Sequence, residues 1–220
     1  MILIPVKNLS QAKQRLAGVL DQRSRTELAQ AMLHDVAAAI ATWTHRPACA
    51  LVTSDEFAVE IARNYDFEII ADPANPGETG AIEMATRTCI ERGIDFTLVI
   101  PADIPLIQAS ELEQIMAQAP AEGSLLVPAA DARGTNGAYR RPTDLFPLRF
   151  GNDSFKPHFA AAQAAGKLCV VLQLPGIGLD VDNPADLQQL VARPGNTLSQ
   201  TLIRRWGLDN QLLAAGTEHS

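Results

Sequence analysis

The stretch Phe96-Thr97-Leu98-Val99-Ile100-Pro101-Ala102-Asp103-Ile104-Pro105-Leu106 decides the fold class of this chain. Its first five residues lack the polar alternation of a half-exposed strand and suit one covered on both faces. Prolines at 101 and 105 then stop the strand, because proline has no N–H to give to a ladder. Similar runs lie at Met1 to Val6, Ala48 to Thr53, Phe67 to Ala71 and Ser124 to Pro128. Helix-length segments separate them: Arg23 to Trp43, Glu56 to Tyr65, Ala81 to Arg92 and Ser110 to Ala119. In the first helix Leu28, Met32, Val36 and Ile40 recur every fourth residue and predict one apolar face. Strands alternating with helices imply an α/β fold, a mostly parallel sheet with helices on both faces. Ligands of such sheets bind beyond the carboxyl ends of the strands. Function is therefore expected in the loops after Val6, Ala71, Ile100, Pro128 and Leu174.

A chain of 220 residues suits one sizeable domain. It is expected over 1–210, with a last helix at Leu198 to Trp206 and a frayed tail over 211–220. No apolar run approaches the roughly 18–20 residues that span a bilayer, and the first residues read as a buried strand rather than a leader. A cytoplasmic protein with no membrane partner is expected. Cys49, Cys89 and Cys169 are far apart and odd in number, as reduced core thiols are. A formal charge of −7 leaves no basic footprint for nucleic acid. An anionic ligand would need a local cluster of cations or a metal.

The first loop supplies cations: Lys7, Lys13 and Arg15 follow directly on a buried strand. They form either a solvated basic loop or a set of charges that neutralises phosphates. Neither a P-loop nor a GxGxxG pattern is present. In PADIPL, Asp103 stands at a strand's carboxyl end. Ser110, ahead of Glu111 and Glu113, is the better helix starter, which leaves Asp103 for a metal. The segment Asp131 to Ala138, with Thr135 and Asn136 between two glycines, reads as a turn or as amides and a hydroxyl facing an anion. Gly151 and Ser154 precede an expected helix from Phe155 to Gly166, and suit either a phosphate at its N-terminus or a plain cap. His158 is expected at the surface or in a supporting position. In GLDVDNPADL, residues 178–187, Asn183 fits an N-cap, Pro184 the first helical position and Asp186 the third. Asp180 and Asp182 are two apart in an extended segment and so share a face. Their repulsion would be relieved by Mg²⁺, which favours a few carboxylates with waters and phosphates.

Four of these pieces, in this order, resemble the 2-phospho-L-lactate guanylyltransferase family, relatives of the molybdenum-cofactor nucleotidyltransferases. They are IPVKNLSQAKQRLA, PADIPL, GTNGA followed by RFGNDSF, and LDVDNPADL, and they span roughly Met1 to Val191. The resemblance implies a Rossmann-like fold of the nucleotide-diphospho-sugar transferase type. It implies transfer of GMP from GTP to 2-phospho-L-lactate, phosphoenolpyruvate or 3-phospho-D-glycerate, with pyrophosphate released, in the biosynthesis of coenzyme F-420. Carried over by position, Asp103, Asp180 and Asp182 would bind Mg²⁺. Thr135, Asn136, Gly151 and Ser154 would hold the phosphorylated acid. Val6, Lys7, Lys13 and Gly80 would face the nucleotide, with Lys13, Arg15 and Asp103 in catalytic roles. The chain departs from the family at Ala102, where glycine is common, and at Gly80, where asparagine is common. The rival readings are a related nucleotidyltransferase acting on a sugar phosphate or molybdopterin-type acceptor, and a non-catalytic nucleotide-binding module. The first loop lacks the glycine-rich L-x-x-G-x-x-x-R-[ML] pattern of the former, and the three aspartates argue against the latter. A homodimer is the default assembly.

Overall fold

A computed structural model describes residues 1–74, 77–151 and 153–208. The expected frayed tail over 211–220 lies outside them. The strands are β1 (Ile2–Pro5), β2 (Cys49–Thr53), β3 (Glu68–Ala71), β4 (Thr97–Val99), β5 (Gly123–Pro128), β6 (Thr135–Arg141) and β7 (Leu168–Val171). The helices are α1 (Gln22–Thr42), α2 (Glu56–Asn64), α3 (Glu78–Glu91), α4 (Ala109–Gln118), α5 (Phe155–Ala164), α6 (Pro184–Ala192) and α7 (Leu198–Arg205). The strands form one sheet in the order β3-β2-β1-β4-β6-β5-β7. β6 runs antiparallel to both β4 and β5, and the other pairings are parallel. The α/β class, with its mostly parallel mixed sheet, is as expected.

Alternation along β1 sends side chains to two separate cores. Ile2 and Ile4 join Leu33, Val36 and Ile40 of α1 and Ile115 of α4 on one face. Met1 and Leu3 join Ile82 and Ala85 of α3 and Ala162 of α5 on the other. The β1 and α1 anchors Ile2, Leu3, Ile4, Leu33, Val36 and Ile40 are fully buried, each contributing about 1.5–3 kcal/mol. Helix α1 departs from its expected single stripe. Leu28 and Met32 turn away from the sheet into a third cluster with Leu187 and Leu190 of α6 and Ile203 of α7. The helix is covered on two sides, so an every-fourth-residue pattern undercounts its buried positions.

Three local expectations are corrected. Helix α4 is capped at Gln108, whose N–H donates to Glu111, and Ser110 lies inside the helix. Helix α3 begins at Glu78, which places Gly80 in its first turn instead of a loop. The Thr135-Asn136-Gly137 run opens strand β6 rather than forming a turn. Gly137 is small for packing, since a Cβ there would meet Val127 at 3.0 Å. Gly137→Ala should therefore destabilise the fold by about 1–3 kcal/mol. Gly18→Ala should be near neutral, because nothing lies within 4 Å of a Cβ at that position. Thermal unfolding of both variants checks this, and equal midpoints would contradict it.

Candidate active site

The carboxyl ends of β1 and β4 and the entry to α6 meet at one side of the sheet, and each delivers a charged residue. After β1, Val6 continues the pairing by donating its N–H to Val52 at 3.0 Å. The loop that follows is tied down at Leu9, whose N–H donates to Asp55 at 3.0 Å. Asp55 also accepts from Ala58 and so caps α2. Two short 3₁₀ turns, Leu9–Gln11 and Gln14–Leu16, are anchored by burial of Leu9 and Leu16. Between them Lys13 adopts φ +56°, a left-handed conformation that costs a non-glycine residue about 1–2 kcal/mol.

That backbone aims the Lys13 side chain inward, where its Nζ lies 2.6 Å from Asp103 Oδ2 and 2.8 Å from Asp182 Oδ1. Burial alone would favour the neutral amine. The two carboxylates outweigh that penalty and hold Lys13 above its ordinary value, so it remains a cation. For Asp182 burial works the other way, but the Lys13 charge and hydrogen bond, aided by Arg15, hold it below its ordinary value. Arg15 stands 3.8 Å from Asp182 and is mostly exposed, a geometry of little energetic weight in water.

The helix-start reading of residues 183–186 is matched, and it has a further consequence. Asn183 accepts from the N–H groups of Ala185 and Asp186, while the Asp186 carboxylate accepts from Asn183 and from Asp182. The cap of α6 therefore also fixes the backbone of Asp182. Val181, buried between the two acids, donates its N–H to the Asp103 carbonyl at 3.0 Å. Asp180 is bound by Asn136, whose Nδ2 donates to it at 2.9 Å and to the Ile177 carbonyl at 3.0 Å. Burial pushes Asp180 up to about 6 against the Asn136 hydrogen bond, with Asp103 and Asp182 adding to the rise.

The expected aspartate trio is thus split. Asp103 and Asp182 share Lys13, and Asp180 is held by Asn136. Among the described residues no three His, Cys, Asp or Glu side chains form a metal-holding group. The donors are still hard carboxylate oxygens, and two of them already bracket one cation. That arrangement fits an ion such as Mg²⁺, which commonly takes one or two carboxylates and completes its shell with water and phosphate.

A cleft of about 570 Å³ opens over Lys13, lined by the first loop, Pro101 to Asp103, Asp182 and Glu78. Val6 and Lys7 line it as expected; Gly80 is not among its walls. A second cleft of about 490 Å³, which includes Asp55 and Asp72, shares the Val6 to Leu9 wall. Glu78 escaped the sequence reading. An acid in the first turn of a helix reads as a favourable dipole partner, and nothing local says that it faces a cleft. Burial pushes its carboxyl up to about 7, with Asp103 adding to the rise and Lys7 opposing it.

Of the residues expected on the acceptor side, Thr135, Asn136 and Ser154 form a group, and neither of the two clefts includes them in its lining. Thr135 donates its N–H to Ser154 Oγ at 3.1 Å, and both side chains are buried. The Ser154 oxygen accepts in this contact and makes no side-chain cap for α5, although the residue stands at the cap position. Asn136, next in β6, links the group to Asp180. Gly151 is exposed at φ +142°. His158 is fully buried against Thr135 instead of lying at the surface.

Residues 1–217 match the family model described as "Guanylyl transferase CofC like". The chain belongs to that family. It is 34% identical to a phosphoenolpyruvate guanylyltransferase of Roseiflexus castenholzii, covering 93% of each chain. It is 33% identical to a 3-phospho-D-glycerate guanylyltransferase of Colwellia psychrerythraea, over 86% of this chain and 90% of the relative. A 2-phospho-L-lactate guanylyltransferase of Methanothermobacter thermautotrophicus is 30% identical over 92% of this chain and 89% of its own. The fold resembles a solved structure from Desulfovibrio desulfuricans, described as a nucleotide-diphospho-sugar transferase, with a TM-score of 0.76 at 19% identity over 96% of each chain. No helix among the described residues is long and apolar enough to cross a membrane.

Glu78 gives the site a pH signature. Its carboxyl titrates near 4.5 ordinarily and near 7 in the fold, so folding takes up a proton between those values. The stability tied to the protonated form is complete below about pH 4.5 and is lost as the pH rises through 7. Glu78→Gln should therefore raise stability by about 1–3 kcal/mol at pH 8 and leave it nearly unchanged at pH 4.5. Chemical unfolding at the two pH values in chelator measures this; an equal gain at both would contradict it.

Proposed function

We propose that this guanylyl transferase family member transfers GMP from GTP to a small phosphorylated carboxylic acid and releases pyrophosphate. The observation that carries the reading is Lys13, a buried cation between Asp103 and Asp182 at the floor of the larger cleft. The acceptor class comes from the relatives, whose names cover phosphoenolpyruvate, 3-phospho-D-glycerate and 2-phospho-L-lactate. All three compounds carry a phosphate and a carboxylate. A product of this kind suits the biosynthesis of coenzyme F-420.

A phosphate oxygen of the acceptor attacks the α-phosphorus of GTP in line; the new P–O bond forms as the bond to the β-phosphate oxygen breaks. An acceptor phosphate is already ionised at neutral pH, so no protein nucleophile or strong general base is required. What remains for the protein is alignment and charge stabilisation. Lys13 offers a fixed positive charge to the triphosphate, with the one N–H not taken by Asp103 and Asp182, and Arg15, 3.8 Å from Asp182, would stabilise the leaving pyrophosphate. Asp103 and Asp182, with Asp180 beside them, would hold Mg²⁺. When bound, it would neutralise phosphate charge and favour departure of the pyrophosphate. Thr135 and Ser154 would give hydroxyls to the anionic acceptor, with Asn136 tying their strand to Asp180 and Gly151, in the loop before α5, leaving its backbone open to the same ligand.

Discrimination among the acids would rest on one or two polar contacts. Mass spectrometry of the protein incubated with Mg²⁺, GTP and each of the three acids in turn should find a GMP adduct of at least one acid, with stoichiometric pyrophosphate. Turnover confined to sugar phosphates would overturn the reading.

A further inference from the structure

We infer that His158 is a positioning residue for the acceptor: it fixes the Thr135 hydroxyl as a hydrogen-bond donor aimed at the anionic group of the phosphorylated acid. The inference rests on the acceptor-side reading of Thr135 and Ser154.

The proton assignment follows from one backbone contact. The Arg149 N–H donates to His158 Nε2 at 2.8 Å, and an N–H can only donate. Nε2 therefore carries no proton. A neutral ring must then bear its proton on Nδ1, which lies 2.9 Å from Thr135 Oγ1. Burial keeps the ring neutral, pushing it down to about 4, with the Arg140 charge in the same direction. The imidazole donates, and the Thr135 oxygen accepts.

The Thr135 hydroxyl proton is thereby free for another partner. Ser154 is in the same state, because its oxygen accepts from the Thr135 N–H. Among the described residues these two hydroxyls each accept one hydrogen bond and donate none. Both side chains are at least 95% buried: Thr135 is 5% exposed and Ser154 4%. Two buried O–H donors, on residues joined through the Thr135 N–H and with no protein acceptor among the described residues, describe a seat for anionic oxygens. His158 is itself held rigidly. Phe150 packs edge-on against its ring at 5.1 Å between centroids, and Thr79 of α3 hydrogen-bonds the Phe150 backbone N–H at 3.0 Å. The ring thus ties the strand start at Thr135 to the loop before α5.

Two measurements test the inference. Long-range ¹H–¹⁵N correlation on the full chain at pH 7 should show His158 with a protonated Nδ1 and a bare Nε2; the opposite tautomer would overturn it without any variant. Kinetics with GTP and phosphoenolpyruvate, or whichever of the three acids turns over, supply the second. His158→Phe keeps the ring packing and loses the donor. It should raise KM for the acid about 10–30-fold while KM for GTP stays within twofold. His158→Asn, which can restore an N–H near the Nδ1 position, should recover at least part of that loss. Thr135→Val should raise KM for the acid as well, and adding His158→Phe to it should change little, because the imidazole acts through that hydroxyl. Additive effects in the double variant would overturn the positioning role alone. An unchanged acid KM in Thr135→Val would instead remove the acceptor-site reading, and the inference with it.

Discussion

An ammonium group buried between two carboxylates organises this molecule's working face. Lys13 reaches Asp103 and Asp182 across 90 and 169 residues of sequence, so the contact forms only when the first loop, the end of β4 and the entry to α6 are all in place. Taking the Lys13 charge out of water is costly, and the attraction of two part-exposed carboxylates repays that only when the geometry is good. Removal of the cation would leave two carboxylates facing each other. The left-handed backbone at Lys13 shows the same economy, a strained conformation kept where it directs one side chain.

The surrounding structure fastens each member separately. Burial of Leu9 and Leu16 and the Asp55 hydrogen bond hold the first loop. The α6 capping box holds Asp182 through its backbone, and the Val181 bond joins that segment to Asp103. Asn136 then connects Asp180 to β6, and β6 carries Thr135 to Ser154 and His158. A path of hydrogen bonds and short backbone links therefore runs from Lys13 in the larger cleft to the Thr135 and Ser154 hydroxyls. Neighbouring reactive groups on such a path keep fixed separations, which is what in-line transfer between two bound substrates requires. An overall charge of −7 is no obstacle, because the cations the ligands need are gathered at one place.

Much of this was readable from residue order. Short apolar runs closed by proline or turn residues marked the parallel strands, and Asn183-Pro184 with Asp186 marked the start of α6 down to its capping box. What was not readable depends on contacts between distant segments. Gly137 resembles a turn glycine in sequence, and only the approach of Val127 shows it to be a packing glycine in a strand. The double coverage of α1 follows from where α6 and α7 dock. Glu78 and His158 carry no local sign of their roles, because one is defined by the cleft it faces and the other by the Arg149 amide and the Thr135 hydroxyl. The three aspartates were legible as a group, but their division between Lys13 and Asn136 was not.

The central claim is that the Lys13 cation stabilises the charge that moves during guanylyl transfer. Its most direct test is the turnover number of Lys13→Met, a substitution that keeps the length of the apolar stem and removes the charge, measured with GTP and an accepted phosphorylated acid at saturating Mg²⁺. Circular dichroism of the same preparation would establish that it is folded. Loss of the charge should lower kcat by about 100-fold or more. A folded Lys13→Met protein that turns over within threefold of the parent would contradict it.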